Sequence, residues 1–395
     1  MDAPPPLPGE GSGHGRQPEQ PERQSYYEQQ SVDTRPCPSC GGQFVFNIEA
    51  QRLVCPHCGT SEDIVHGAEA AVVEQQFRPD VQGLAGAMSP RMQSAMEGEK
   101  EVVCQNCGGH TTFTGTLTAT RCPYCATPIQ RTDVHDAPER IAVDGVLPFA
   151  VSQDHGSDIV KAWIAKRWFA PNEFKKYSRA GSFQSVYAAY FTFDADATTD
   201  YRGQRGDNYT RTVRDGDKTR TVTEIRWRSA SGRVFDSFDD LTVLANTGFE
   251  DRLVKRLEPW PTTNQLQPFH RDYLAGHLAR TYDRGIDHCF ADARHEMDDT
   301  IDHTIRRDIG GDHQRIHHKR THLANVTYKH VLLPIWLLTV IYADKPLQVF
   351  INGATGEVHG ERPWSIPKII AAVVAALIVL ALAIYLYSVF GGGSE

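Results

Sequence analysis

The sequence predicts an α+β protein with two small cysteine-based ribbons in tandem, a mixed body that contains an antiparallel β-meander and helices, and one C-terminal transmembrane helix. Three observations predict this organisation: a duplicated set of Cys-x-x-Cys pairs, strand and helix patterns between residues 144 and 362, and an uncharged apolar run at 369–390. The 395 residues carry a formal net charge of −8. This acidic balance argues against a protein that coats nucleic acid generally.

The composition divides the chain into segments. Residues 1–35 are rich in Pro, Gly, Gln and charge and lack the apolar run of a signal peptide, so we expect a disordered tail. The further boundaries that we expect are a first ribbon at 36–60, a linker at 61–100, a second ribbon at 101–130, the α+β body at 144–362, the transmembrane helix at 369–390 and a short tail at 391–395.

Eight of the nine cysteines stand in four Cys-x-x-Cys pairs, and the last two pairs repeat the first two 67 positions later, from 37 to 104. Two residues between cysteines let one tight turn present both thiolates to one ion, and a second such turn completes a tetrahedral four-sulfur site. We therefore predict two zinc ribbons with one structural Zn²⁺ each. The predicted ligands are Cys37, Cys40, Cys55 and Cys58 in the first ribbon and Cys104, Cys107, Cys122 and Cys125 in the second.

Disulfides and redox-active Cys-x-x-Cys motifs are the alternative for these cysteines. Paired turns at matched spacing in a chain without a secretory signal favour metal instead. A shell of four cysteines leaves no open position for water or substrate, so the ions would fold the ribbons and catalyse nothing.

The first half of the body reads as a helix at about 157–168 and then an antiparallel meander at 187–238, with turns at Asp215-Gly216 and Ser231-Gly232. Residues 202–233 hold nine Arg and Lys against four acidic residues. This basic stretch is either a patch for anionic lipid or nucleic acid, or a solvated sheet face that discourages edge pairing. We favour the solvated face.

Two helices are predicted at about 269–282 and 285–308. Apolar residues at helical spacing give the second helix a core-facing stripe of Phe290, Ala293, Met297, Ile301 and Ile305, and Cys289 beside it is expected to be inert packing. A polar stripe on the opposite face consists of His288, Asp292, His295, Asp299 and His303. That stripe is either a metal site or a set of ordinary helix-surface pairs, and we favour the latter because no His-Glu-x-x-His motif occurs.

The rest of the body begins with a His-rich stretch at 313–322, read as an exposed loop with a pH sensor as the alternative. An apolar strand at 331–342 follows, in which Pro334 indicates an edge or a bulge, and then a return strand at 348–352.

The run at 369–390 spans roughly 33 Å as a helix, which matches the hydrocarbon core of a bilayer. Arg362 and Lys368 precede it, so the positive-inside rule places the N-terminal region in the cytoplasm and the short tail outside. The run contains no Asp, Glu, Lys, Arg or His. We therefore predict a single-pass anchor in the cell membrane.

The chain also resembles a known family. The shared motifs are the Cys-Pro-x-Cys-Gly pairs, Leu147-Pro148-Phe149, Phe169-Ala170-Pro171, Phe238-Asp239-Asp240, Ile309-Gly310-Gly311-Asp312, Leu333-Pro334-Ile335-Trp336 and Asn352-Gly353-Ala354-Thr355-Gly356. These motifs are similar to those of bacterial transcription-factor-IIB-type zinc-ribbon membrane proteins, often labelled primosomal protein N′-like. The resemblance implies a membrane-stress scaffold that works with band-7 (flotillin-like) and phage-shock-type partners. No phosphate-binding Gly-x-x-x-x-Gly-Lys-Ser/Thr loop occurs, so a helicase is not expected.

Three functions follow as hypotheses. We favour a membrane-anchored zinc-ribbon scaffold or adaptor at the cytoplasmic face, without enzymatic activity. The first alternative is a membrane-tethered zinc-ribbon factor that binds DNA in replication or transcription. The second is a metalloenzyme that uses His288, His295 and His303.

Overall fold

The computed structural model describes residues 35–67, 70–81, 86–88, 90–93, 99–103, 110–114, 120–121, 128–129, 134–136, 140–167, 183–215, 218–342, 345–361 and 365–390. The strands before the body are β1 (Val45–Asn47), β2 (Arg52–Val54), β3 (Ser61–Glu62), β4 (Gln75–Gln76), β5 (Met92–Gln93), β6 (Glu99–Val103), β7 (His110–Thr114), β8 (Thr120–Arg121), β9 (Pro128–Ile129) and β10 (Val134–Asp136). The later strands are β11 (Arg140–Ile141), β12 (Gly145–Val146), β13 (Phe183–Asp215), β14 (Lys218–Leu244), β15 (Gln267–Pro268), β16 (Leu278–Ala279), β17 (His313–Tyr342), β18 (Lys345–Asn352) and β19 (Val358–Gly360).

The helices in this part of the chain are α1 (Gln153–Ala165), α2 (Asp251–Lys255), α3 (Thr262–Gln265), α4 (Ile286–Ile309) and α5 (Ile366–Phe390), with a 3₁₀ turn at Arg271–Leu274. The mixed α+β class with antiparallel sheets is confirmed. The helix predicted at 157–168 begins earlier, because the side chain of Ser152 caps its N-terminus at the N–H of His155.

A sheet of β14, β13, β17, β12 and β15, in that order, forms the body, and β18 extends it from β17. β13 pairs antiparallel with β14 along one edge and with β17 along the other. β13 has 33 residues, which at about 3.3 Å per residue gives a ribbon about 110 Å long. We call the half of the sheet that contains β12 the proximal half. The other half, which contains the end of β13 and the start of β14, is the distal half.

The proximal half is buried on both faces. Tyr187, Phe191 and Phe193 point into a core shared with α1 and the first ribbon, whereas Val186 and Tyr190 point into a second core with the α2 region. Successive residues of a strand face opposite sides, so both sets must be apolar here. This explains the continuous apolar run of β17 in the same region.

α4 covers one face of the part of the distal half that adjoins the proximal half. Ile301, Ile305 and Ile309 pack against Ala197 and Tyr201 of β13. The whole predicted core-facing stripe of α4 is buried, as is Cys289, which confirms that prediction. The opposite face of the distal half carries no helix among the described residues.

The predicted meander has one turn too many. β14 runs antiparallel to β13 from Lys218, so the chain reverses direction after Asp215 as predicted, but β14 continues without reversal through Ser231-Gly232. A Cβ at Gly232 would lie 2.8 Å from the hydroxyl of Tyr201. This glycine therefore makes room for a neighbouring side chain and does not form a turn.

Two further predictions for the body were wrong. The helix expected at 269–282 is instead the 3₁₀ turn followed by β16, which pairs with β13. The His-rich stretch expected as a loop is the start of β17, where His318 lies opposite Arg202. Both segments gain their conformation from pairing with β13, which no local pattern reveals.

Pro334 lies inside β17 and not at an edge. Its carbonyl accepts a hydrogen bond from the N–H of Gly353 at 2.8 Å. In a β-strand, the backbone nitrogen and the carbonyl oxygen of one residue point to the same neighbouring strand. The nitrogen of Pro334, which has no hydrogen, therefore points to the edge of β17 where the pairing partner changes from β12 to β18. No ladder hydrogen bond is lost there.

Parts of the segment predicted as a linker lie against the body. β4 pairs with β17, and Phe77 is buried with its ring 4.9 Å from the ring of Phe290. Nη2 of Arg91 lies 2.5 Å from the buried carboxylate of Asp144. These contacts tie the residues around Phe77 and Arg91 to the body.

We expect Phe77→Ala to destabilise the full chain by about 3–5 kcal/mol, because the substitution leaves a cavity between α4 and the sheet. The measurement is the thermal unfolding midpoint in detergent micelles. Val73→Ala is the matched control, since Val73 is 51% exposed in the same segment. Equal midpoints for the two variants would contradict the packing of this segment on the body.

Candidate metal centre

Cys37-Pro-Ser-Cys40 and Cys55-Pro-His-Cys58 fold into matching turns. The N–H of Gly41 donates to the carbonyl of Cys37, and the N–H of Gly59 donates to that of Cys55, each at 2.9 Å. Both glycines have a φ of +75°, and no atom lies within 4 Å of an added Cβ. The left-handed backbone conformation, and not crowding, therefore favours glycine after each pair.

The two turns bring four sulfur atoms together. Sγ of Cys37 lies 3.6 Å from Sγ of Cys58, Sγ of Cys40 lies 3.6 Å from Sγ of Cys55, and all four lie within 4.8 Å of one another. A disulfide would need about 2.05 Å. Metal–sulfur bonds of about 2.3 Å in a tetrahedron place the sulfurs about 3.8 Å apart. The four sulfurs therefore lie at metal-binding distances from one another and too far apart for disulfides, and the four cysteines are free thiols.

Hydrogen bonds favour the thiolate form at two of these positions. The hydroxyl of Thr60, 3.1 Å from Sγ of Cys58, acts with the Thr60 N–H to lower the pKa of Cys58 to about 6. Burial alone would raise the pKa of Cys37, but the N–H groups of Ser39 and Cys40 outweigh it and bring this pKa below its usual value. Thiolates are the form that binds metal.

Cys40 behaves in the opposite way. The N–H of Gly42 lowers its pKa, but hydrogen bonds shared with Cys58 and Cys55 outweigh this and raise the pKa of Cys40 to about 12. Like charges crowded together resist a further deprotonation. A cation in the group would remove that resistance, so metal binding would release a proton from this thiol.

The described strands around the second set of cysteines repeat the register of the first set. In both sets the residue just before a Cys-x-x-Cys pair lies opposite the residue six positions after its first cysteine, in antiparallel pairing. The four pairs are Pro36 with Gln43, Val54 with Ser61, Val103 with His110, and Arg121 with Pro128. Cys104, Cys107, Cys122 and Cys125 themselves lie outside the described residues.

The first ribbon packs directly on the body. The N–H of Phe46 donates to the carbonyl of Ala275 at 2.8 Å, and its ring meets the ring of Tyr273 edge-on, 5.4 Å between centroids. Gly276 has a φ of +87°, and a Cβ there would lie 2.0 Å from Cγ1 of Val45. No pattern in the sequence indicates this junction apart from the glycine.

A cavity of about 530 Å³ lies at this junction, between the ribbon hairpin, the start of α1 and β13. His277 lines it, and neither of its ring nitrogens has a hydrogen-bond partner among the described residues. Burial lowers the pKa of His277 to about 4, so the ring is neutral near pH 7. The ring stacks on Phe149 with 4.8 Å between centroids.

The polar stripe of α4 does not form a comparable group. His288, Asp292, His295, Asp299 and His303 are exposed along the helix, and Asp292 forms an ion pair with Arg284. In the described ranges, two groups of three or more ligand-type residues lie within 4.8 Å: the four cysteines, and Asp194 with Asp239 and Asp240. No three members of the stripe approach one another in this way.

The aspartate group already contains a cation from the protein. Nζ of Lys329 lies 2.6 Å from Oδ1 of Asp240, 3.5 Å from Oδ2 of Asp194 and 3.0 Å from Oε1 of Glu74. Burial would lower the pKa of Lys329, but the hydrogen bond with Asp240 and the charge of Asp194 raise it. Lys329 stands just before the apolar run that begins at Val331, and no local pattern in the sequence indicates its acidic partners.

We expect Cys55→Ser to remove about one metal ion per chain, because a four-sulfur site needs all four ligands. Elemental analysis of the purified full chain measures this. Cys289→Ala is the matched control, since Cys289 is fully buried in the body and burial raises the pKa of its thiol to about 12. The same metal content in both variants would argue against a metal in the first ribbon.

The chain is similar to the uncharacterized protein YdjG of Bacillus subtilis (strain 168). The two are 27% identical over 345 residues, which cover 85% of this chain and 91% of that protein. No family model matches the sequence, and no solved structure matches it.

Proposed function

We propose that this protein is a zinc-stabilised scaffold or adaptor, without enzymatic activity, that is anchored at the cytoplasmic face of a membrane and binds partner proteins. The observation that carries the proposal is α5, which is long and apolar enough to cross a membrane and buries none of its most apolar window against the rest of the chain. Leu377 and Ile384, for example, are 58% and 61% exposed. Such a surface is stable in lipid and costly in water.

Zinc is the proposed metal of both ribbons. Four thiolates in a tetrahedron suit Zn²⁺ or an iron–sulfur cluster, and a compact site between two single turns suits one ion. The repeated register around all four Cys-x-x-Cys pairs supports a second structural Zn²⁺ held by Cys104, Cys107, Cys122 and Cys125. With four protein ligands each, the ions would hold the turns together and leave no site for substrate.

The ribbons are the proposed docking modules. One side of the first ribbon is occupied by the body, but the side that carries Ser39, His57 and Cys58 is exposed. That side and the second ribbon are the surfaces proposed to meet partner proteins. The resemblance to zinc-ribbon membrane proteins suggests a membrane-stress response and partners of the band-7 or phage-shock type.

The anchor is tested by placing charge in α5. We expect Leu377→Arg combined with Leu380→Arg to release the protein from membranes into the soluble fraction, because each arginine near the centre of a membrane helix costs about 2.5–3.5 kcal/mol. The measurement is resistance to alkaline carbonate extraction. Asn264→Arg with Thr300→Arg adds the same charge at exposed positions of the body and should stay in the membrane. A wild-type chain that carbonate extracts would refute the anchor.

Docking is tested with a photoreactive amino acid in native membranes. We expect crosslinks to a discrete partner from position 39 in the first ribbon, and loss of those crosslinks when Cys55→Ser removes a ligand. Position 300, exposed on α4, is the control site. Crosslinks that persist in the Cys55→Ser background would show that the ribbon fold is not needed for docking.

A further inference from the structure

The distal half of the sheet has a face that α4 does not cover, here named the open face. Ala197 and Tyr201 of β13 face α4. Because successive residues of a strand face opposite sides, Thr198, Asp200 and Arg202 face away from α4. The strand neighbours of these three residues complete the open face. They are Phe235, Arg233 and Ser231 on β14, and His322, Arg320 and His318 on β17.

The aspartates of the open face are already satisfied by their neighbours. Both carboxylate oxygens of Asp200 bind the guanidinium of Arg233, at 2.7 and 3.0 Å. Those of Asp196 accept from Ser237 at 3.1 Å and from Asn325 at 2.9 Å.

The hydrogen bond from Arg233, with a smaller contribution from the charge of Arg320 opposite, lowers the pKa of Asp200. Arg202 and Arg320 are exposed, and none of the described acidic groups lies within ion-pair distance of either arginine. They lie on adjacent strands of the same face. The open face thus offers cationic groups that are ready for an anionic partner.

Apolar side chains project from the same face. Phe235 is 71% exposed and Ile225 is 40% exposed. Farther along, the guanidinium of Arg315 lies 3.9 Å from the centroid of the Trp227 ring and covers it. A sheet face that combines free arginines with projecting apolar side chains has both parts of an interfacial lipid contact.

We propose that the open face binds the surface of an anionic phospholipid membrane. Arg202 and Arg320 contact lipid phosphates there, and Phe235 enters the boundary between headgroups and acyl chains. This proposal deepens the proposed function and rests on it in one respect. If α5 crosses a membrane, it holds the open face close to a lipid surface. A nucleic-acid strand fits less well, because stacked bases need a series of exposed rings, whereas Ile225 is aliphatic and Trp227 is covered.

The test uses the full chain in phosphatidylcholine nanodiscs, mixed with separate vesicles that are then floated. We expect the protein to float with vesicles that contain phosphatidylglycerol and not with vesicles of phosphatidylcholine alone, and added salt to weaken binding. Arg202→Ser and Arg320→Ser should each lower partitioning about fivefold, and Phe235→Ser should lower it further.

The matched control for the double variant Arg202→Ser with Arg320→Ser is Arg205→Ser with Arg228→Ser, which removes the same two charges from the opposite face of β13 and β14. An equal loss in this control, equal binding to neutral vesicles, or no binding by the wild type would overturn the proposal. Binding to duplex DNA at low salt without vesicle binding would assign the face to nucleic acid instead. Carbonate extraction reports on α5 alone, so failure of the anchor and failure of the open face are distinguishable.

Discussion

The continuous pairing of β13 with β14 on one edge and β17 on the other is the constraint on which the rest of the molecule depends. β12, β18 and β4 all join the sheet through β17, and β16 joins it through β13. Each backbone hydrogen bond contributes about 1 kcal/mol net, but their alignment fixes which side of every strand is buried. A slip of one residue would turn Tyr187 and Phe191 away from the core that they share with the first ribbon.

The buried ion group around Lys329 lies at the boundary between the proximal and distal halves of the sheet. On its proximal side both faces are covered, and on its distal side α4 covers one face. The register of β13 shifts here, between Phe193 and Ala195. Paired buried charges add little net stability, but removing one partner leaves the others uncompensated at a cost of about 3–5 kcal/mol. The group therefore penalises alternative registers at the point where the strand pattern is irregular.

A feature of the structure could be predicted from the sequence when the residues that determine it lie close together in the chain. The spacing of Cys37, Cys40, Cys55 and Cys58 specified their grouping, because each turn is closed by its own backbone. The apolar stripe of α4 was equally readable from its period. The false turn at Ser231-Gly232 arose because a glycine selected by Tyr201, on the neighbouring strand, looks like a turn residue in isolation. The His-rich start of β17 lacks the alternation of apolar and polar residues that indicates a strand. Its pairing partner, β13, is far away in the sequence.

The difference between contacts that are local in sequence and contacts that are distant also affects the order in which segments can fold during synthesis. Each Cys-x-x-Cys turn closes within a few residues, whereas Thr199 and Thr321, which share a hydrogen bond across β13 and β17, are 122 positions apart. Until β17 has been synthesised, β13 lacks its partner and its apolar side chains stay uncovered. α5 begins 24 positions after β17 ends, at 366 against 342. Closure of the body and delivery of the apolar helix therefore fall within the same short interval of synthesis.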